Sequence, residues 1–224
     1  MAQRLVEFTL ASGIPEALHY WADKAGISLS ACQEKSFLIY LNELKAWNRK
    51  INLTAITDPQ QILLKHFVDS MTCGRGLLEG IQESSLLDVG SGGGFPGVPL
   101  KIIHPDLRIT LLEPNLKKTA FLRHLIGTLQ LKDIHVVSQT LMDFSSQKQH
   151  EKYFCNIISR AFNLLPHLHH CFRLLNKGGR VILCRSKPLS DCETLAGFII
   201  EKEMSYTLPE GYGTRTLSLL TSLN

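Results

Sequence analysis

The sequence predicts an α/β fold in which a mostly parallel sheet is closed by a C-terminal antiparallel hairpin and preceded by an N-terminal helical layer. Three observations carry this. Apolar residues recur at helical spacing through the first 70 positions. From Leu86 onward, short apolar runs alternate with helical patterns, as βαβ units require. The tail then holds two β-like runs around Pro209-Glu-Gly211-Tyr-Gly213, an antiparallel closure common in mixed sheets.

The helical part has readable starts. Ser30-x-x-Gln33 fits a capping box, in which the serine hydroxyl covers an orphan N–H and the glutamine reaches back. Phe37, Leu38, Leu41, Leu44 and Trp47 follow on one face. Asp58-Pro59 starts another helix, with aspartate as N-cap and proline at the first helical position, carrying Ile62, Leu63, Phe67 and Met71. The stretch from Gly74 to Ser85 is a break. Strands are expected at Leu86–Val89, Arg108–Leu112, Ile134–Val137, Cys155–Ser159 and Arg180–Cys184. A helix capped by Asn115 runs between the second and third of them, through Lys117, Phe121, Leu125 and Leu129. Met204–Leu208 and Thr214–Leu220 form the hairpin. The expected division is a helical layer over 1–73 and a sheet domain over 74–224, the two forming one compact unit.

Composition narrows the classes. The chain has 224 residues, 44% hydrophobic and 20% charged, which excludes a disordered chain and suffices for a core without staples. No apolar run reaches the roughly 18–20 residues of a membrane span. Glu7 interrupts any signal-peptide core near the start, so a cytoplasmic location is expected. The six cysteines (Cys32, Cys73, Cys155, Cys171, Cys184 and Cys192) contain no Cys-x-x-Cys pair or zinc-ligand spacing, which points to reduced thiols and no metal. A net charge of +4 permits an anionic partner without requiring one.

The sharpest feature is Asp88-Val-Gly90-Ser-Gly92-Gly93-Gly94-Phe95-Pro96-Gly97-Val-Pro99, following a strand and opening a helix. Glycines there let the backbone turn sharply and approach a ligand without a Cβ in the way. The carboxyl end of the first strand is where open α/β sheets bind nucleotides. Two ligands fit. Gly92-x-Gly94-x-x-Gly97, with Glu113 following 21 residues after Gly92, matches a dinucleotide fingerprint. Gly90-x-Gly92-x-Gly94 with Asp88 before it suits S-adenosylmethionine, whose ribose also wants an acid such as Glu113. Spacing does not separate the two.

Several segments outside the loop resemble one family. Trp47-Asn48-Arg49-Lys50-Ile51-Asn52-Leu53-Thr54, Lys65-His66-Phe67-Val68-Asp69-Ser70, Asp88–Leu100, Leu116-Lys117-Lys118 with Phe121-Leu122-Arg123, and Ser159-Arg160-Ala161 are similar to the bacterial glucose-inhibited division protein B family. The resemblance runs from about residue 30 to about residue 185. These are small-subunit (16S) ribosomal RNA (guanine-N7) methyltransferases. The resemblance implies a Rossmann-like class I fold, S-adenosyl-L-methionine as cofactor and small-subunit ribosomal RNA as partner, in an assembled or partly assembled subunit, with the protein acting as a monomer.

Carried over by position, the family's cofactor contacts fall on Gly90, Phe95, Leu141, Met142 and Arg160, beside Asp88, Gly92, Gly94 and Glu113 from the loop reading. Lys117, Lys118 and Arg123 are the candidate RNA contacts. Three departures stand out. Thr140-Leu141-Met142 replaces the usual Arg-Val-Glu, so a contact there must be made by backbone groups. Glu113 replaces an Asp, and shortening it back to Asp should be tolerated. Cys184-Arg185-Ser186 replaces Leu-Lys-Gly.

Guanine N7 has an in-plane lone pair and no proton, so the resemblance implies a reaction of positioning, without a catalytic acid or base. The chain accordingly shows no Ser-His-Asp or Cys-His constellation. His66 and Asp69, three apart on a helix, either tie the helical layer to the sheet or line the entrance for RNA or cofactor. Arg160 should face an anion, either the cofactor carboxylate or an RNA phosphate, and its removal should leave the fold intact. The competing readings are an NAD(P)-dependent oxidoreductase, a non-catalytic RNA-binding relative and a small-molecule methyltransferase.

Overall fold

The computed structural model describes residues 13–78, 84–189 and 195–223. Cys192 and Glu7 lie outside them, as does the middle of the Gly74–Ser85 break. Seven strands form one sheet in the order β3-β2-β1-β4-β5-β7-β6. They are β1 (Ser85–Val89), β2 (Arg108–Leu112), β3 (Ile134–Val137), β4 (Phe154–Ser159), β5 (Leu175–Arg185), β6 (Phe198–Thr207) and β7 (Thr214–Ser222). The pairs among β1 to β5 are parallel, whereas β7 runs antiparallel to both β5 and β6. This is the Rossmann-like mixed sheet expected for a class I methyltransferase.

Helices cover both faces. On one lie α1 (Ile14–Lys24), α2 (Ala31–Asn48), α3 (Pro59–Ile62), α4 (Asp69–Cys73), α5 (Gly97–Ile103) and α6 (Leu116–Thr128). Their Trp21, Tyr40, Leu100 and Phe121 share a buried cluster with Leu86, Ile158 and Ile182 of the sheet. On the other face α7 (Leu141–Ser145) and α8 (Leu168–Leu174) pack Phe144 and Leu168 against Leu87, Val89, Ile157 and Val181. Neighbouring residues of β1 thus serve opposite cores, the period-2 consequence of a strand buried on both faces.

The local signals are met by local hydrogen bonds. Ser30 and Gln33 make the reciprocal capping box. The Asp58 side chain accepts from Gln61 N at 2.9 Å, and Asn115 accepts from Lys117 N and Lys118 N at 3.0 and 3.2 Å. Three elements differ from expectation. β5 begins five residues before Arg180, because an irregularity in its pairing with β4 absorbs residues 176–179, with Gly178 at φ +78°. β6 begins at Phe198 rather than Met204; as the edge strand it tolerates the charges of Glu201, Lys202 and Glu203 that mask it in sequence. Between α3 and α4, Leu63–Val68 winds as a π-helix.

Candidate functional site

The carboxyl ends of β1, β2 and β4 open on a cavity of about 930 Å³. The glycine loop is its floor. Gly90, Gly92 and Gly94 take φ of +75°, +56° and +98°, conformations that side-chain-bearing residues rarely adopt. Ser91 O accepts from Gly94 N and Phe95 N, tightening the turn into α5.

Glu113, at the end of β2, braces this loop. Its Oε2 accepts from Gly92 N and its Oε1 from Asn115 N, both at 2.9 Å. Each carboxylate oxygen retains another lone pair for a hydroxyl donor. An aspartate is one methylene too short to hold both N–H groups, so the tolerance expected for Glu113→Asp is not what this geometry supports.

Phe95 joins the loop to the helical layer. Its ring stacks on Tyr40 and His66, with centroids at 5.4 and 4.6 Å, and the Arg160 guanidinium lies 5.1 Å from its centroid. Tyr40 also donates its hydroxyl to Gly93 O, so α2 holds the loop from behind.

Arg160, just beyond β4, does face an anion, but one inside the chain. Its Nη1 donates to Asp69 Oδ2 at 3.1 Å and to Lys65 O at 2.9 Å, and its Nη2 donates to His66 Nδ1 at 2.9 Å. The other Asp69 oxygen accepts from Tyr206 Oη at 2.7 Å. A guanidinium only donates, so His66 Nδ1 is the acceptor and its proton sits on Nε2, 2.7 Å from Thr54 Oγ1. Burial first, and the neighbouring Arg160 cation second, push the His66 pKa down from 6.5 to about 3. Thr54 is itself set by Asn48, whose Oδ1 accepts from Leu53 N and Thr54 N at 2.8 and 3.0 Å. The Asn-Leu-Thr and His-x-x-Asp elements are therefore one hydrogen-bonded chain. His66 and Asp69 tie the helical layer to the sheet, and His66 also lines the cavity.

The structure brings Gly90, Gly92, Phe95, Glu113, Lys118, Leu141, Met142 and Arg160 to the cavity wall. It does not bring Asp88 or Gly94 there. Asp88 is fully buried behind the loop. Its Oδ2 accepts from Gly97 N at 3.0 Å, while its Oδ1 has no partner among the described residues. Burial raises its pKa from 3.8 to about 7, against the Gly97 N–H, which lowers it. Asp88 is thus a scaffold group. Gly94 faces backward, where a Cβ would stand 2.6 Å from the Tyr40 hydroxyl. Lys117 and Arg123 also lie off the wall; Arg123 donates to Ser138 Oγ at 3.0 Å. Thr140 caps α7 by accepting from Asp143 N, and Met142 is 63% exposed.

Sequence reading missed the opposite lip, where Phe162, His167, His169 and His170 line the cavity. Phe162 stacks on His167 at 5.3 Å. Its place two residues after Arg160 was the available signal. Among the described residues no group of three or more His, Cys, Asp or Glu is placed to hold a metal, and no helix is long and apolar enough to cross a membrane.

Comparison with known proteins agrees with this construction. The family model described as rRNA small subunit methyltransferase G (GidB) matches residues 33–204. A protein of Roseiflexus sp. (strain RS-1), named Ribosomal RNA small subunit methyltransferase G, is 39% identical over 207 residues, covering 88% of this chain and 87% of that one. A protein of the same name from Pseudomonas entomophila (strain L48) is 36% identical over 209 residues, covering 92% and 94%. Among solved structures, MtNAS in complex with MTA and tNA superposes with a TM-score of 0.55 over 100% of this chain and 96% of that one, at 14% identity, a likeness of fold. Matched from Gln33 to Met204 and related to these proteins along most of its length, the chain belongs to the rRNA small subunit methyltransferase G (GidB) family.

Proposed function

We propose that this protein transfers a methyl group from S-adenosylmethionine to N7 of a guanine in small-subunit (16S) ribosomal RNA. The observation that carries the reading is the glycine loop turned toward Glu113 at the mouth of a cavity large enough for a nucleoside cofactor and an acceptor base. The residues present fit that cofactor. The unused lone pairs of Glu113 suit ribose hydroxyls, and Leu141 and Met142 offer an apolar wall to a base. Their N–H groups, in the first turn of α7, have no intrahelical acceptor. Backbone recognition there needs no acidic side chain at position 142.

When bound, S-adenosylmethionine supplies a methyl group activated by a sulfonium. The chain's own work is to hold and align. Asp69 neutralises Arg160, so that wall presents no uncompensated cation to a cationic ligand. His66 stays neutral, with Nδ1 occupied by Arg160, and takes no proton during the reaction. This suits a nucleophile that has no proton to lose, and orientation supplies the rate.

Calorimetric titration separates the cofactors. One equivalent of S-adenosylmethionine or its demethylated product should bind, and NADH should give no heat beyond dilution. Saturable NADH binding without S-adenosylmethionine binding would overturn the reading.

A further inference from the structure

On the far side of Arg160 lies a second hollow, of about 500 Å³, lined among others by Lys65, Asp69, Arg160, Arg185, Ser186 and Arg215. It shares His66, Arg160 and Ala161 with the first cavity, so the two spaces meet around one side chain. Among the described residues that line it, four are cations and one is a carboxylate. That carboxylate, Asp69, is 4% exposed and already accepts from Arg160 and Tyr206. The described lining is therefore predominantly cationic.

The cations come from separate elements that reach the same edge of the sheet. Arg160 follows β4, Arg185 ends β5, Arg215 is near the start of the antiparallel β7, and Lys65 descends from the π-helical segment. Adjacent strands lie about 4.8 Å apart, so the three arginines are arrayed over roughly 10 Å, more than one phosphate spans. Arg215 donates to Thr214 O, and its Nε is 3.8 Å from Asp69 Oδ2. Lys65 Nζ donates to Gln61 Oε1 at 3.0 Å and lies 4.9 Å from the Tyr212 ring centroid. Guanidinium and ammonium groups carry five and three donors, so these bonds leave others available.

We infer that this hollow holds the sugar–phosphate backbone of a single-stranded RNA segment flanking the target guanine, with Arg185, Arg215 and Lys65 on its phosphates. The inference rests on the proposed function. A base that enters the first cavity must leave its stack, and its flanking backbone must then pass the rim. Arg160 is the shared wall, and the hollow is the cationic space that adjoins it.

The test compares wild type, Arg185→Gln, Arg185→Gln/Arg215→Gln and the distant control Lys148→Gln in methyl transfer to unmodified small ribosomal subunits across about 50–200 mM salt. The double variant should raise KM about tenfold, as expected when charge-assisted hydrogen bonds are removed. It should also flatten the dependence of log KM on log salt by about 0.7 for each phosphate that is no longer neutralised. Calorimetric affinity for S-adenosylmethionine should be unchanged, and Arg185→Gln alone should show a partial effect should the double variant fold poorly. Lys148→Gln should match wild type. A photo-reactive residue placed at Ser186 should crosslink to ribosomal RNA. Unchanged KM and salt slope in both arginine variants, or crosslinking only to a ribosomal protein, would overturn the inference. Absence of transfer by wild type would instead overturn the proposed function.

Discussion

Glu113 does two tasks with one carboxylate, fixing Gly92 and Asn115 while keeping lone pairs toward the cavity. Glu113→Ala should therefore weaken S-adenosylmethionine binding by about 1.5–3 kcal/mol, the value of a hydrogen bond to a charged group. Glu113→Asp should lose a similar amount, and calorimetry reads both. Full affinity in the alanine variant would remove Glu113 from the site. Arg160→Ala should not fold with normal stability, contrary to the expectation from sequence. It leaves the buried Asp69 with the Tyr206 hydroxyl and the more distant Arg215 alone, a defect of about 1.5–3 kcal/mol for the lost charge-assisted hydrogen bond, measurable by urea unfolding. Two further side chains set opposed pH dependences. His66 has its pKa lowered from 6.5 to about 3, so its stabilisation is complete above about pH 6.5 and is lost as pH falls toward 3. Asp88 has its pKa raised from 3.8 to about 7, so its stabilisation is complete below about pH 4 and is lost as pH rises through 7. Relative to wild type, Asp88→Asn should gain stability as pH rises from about 4 to 7, and His66→Gln should lose it. Each difference is at most about 1.4 kcal/mol per pH unit. Parallel curves for all three proteins would reject both assignments.

At the scale of elements, the glycine loop and the helical layer form one construction. Gly94 packs so closely that a Cβ would stand 2.6 Å from the Tyr40 hydroxyl and 2.9 Å from Val98 Cγ2. Gly92, by contrast, has only Gly90 O within 4 Å of its would-be Cβ, at 3.8 Å. Gly94→Ala should accordingly destabilise the fold by about 1–3 kcal/mol through overpacking and backbone strain, with a lowered Tm. Gly92→Val should leave a folded protein that fails to bind S-adenosylmethionine, because a β-branched residue disfavours φ +56° and displaces the N–H that Glu113 holds. Normal affinity in that variant would detach the loop from the cofactor. The caps at Ser30, Asp58 and Asn115 were legible because each is satisfied within three residues. The π-helical turn was not, since the sequence there reads as an ordinary apolar helix. What it accomplishes, turning both His66 and Asp69 toward Arg160, depends on a residue more than ninety positions away.

For the whole molecule, the sheet order places every cavity-forming strand end on one edge. The alternation of apolar runs and helical patterns was enough to foresee that. The strand cores were legible because burial on both faces leaves continuous apolar runs, as in Leu86–Val89. The early start of β5 and the long edge strand β6 were hidden by an irregular pairing and by solvent-facing charges. Within the site, Gly90 and Glu113 were legible from motif and spacing, and Phe95 from the family resemblance. Asp88 and Gly94 share that motif yet serve the scaffold, and only their packing distinguishes the roles. The chemistry assigned to the cavity is tested most directly by incubating the protein with methyl-labelled S-adenosylmethionine and small ribosomal subunits lacking the modification, then identifying the labelled nucleoside. The expected result is one methyl per subunit, carried by the RNA as 7-methylguanosine. Label on another atom or in protein, or no label while the cofactor binds, would contradict it.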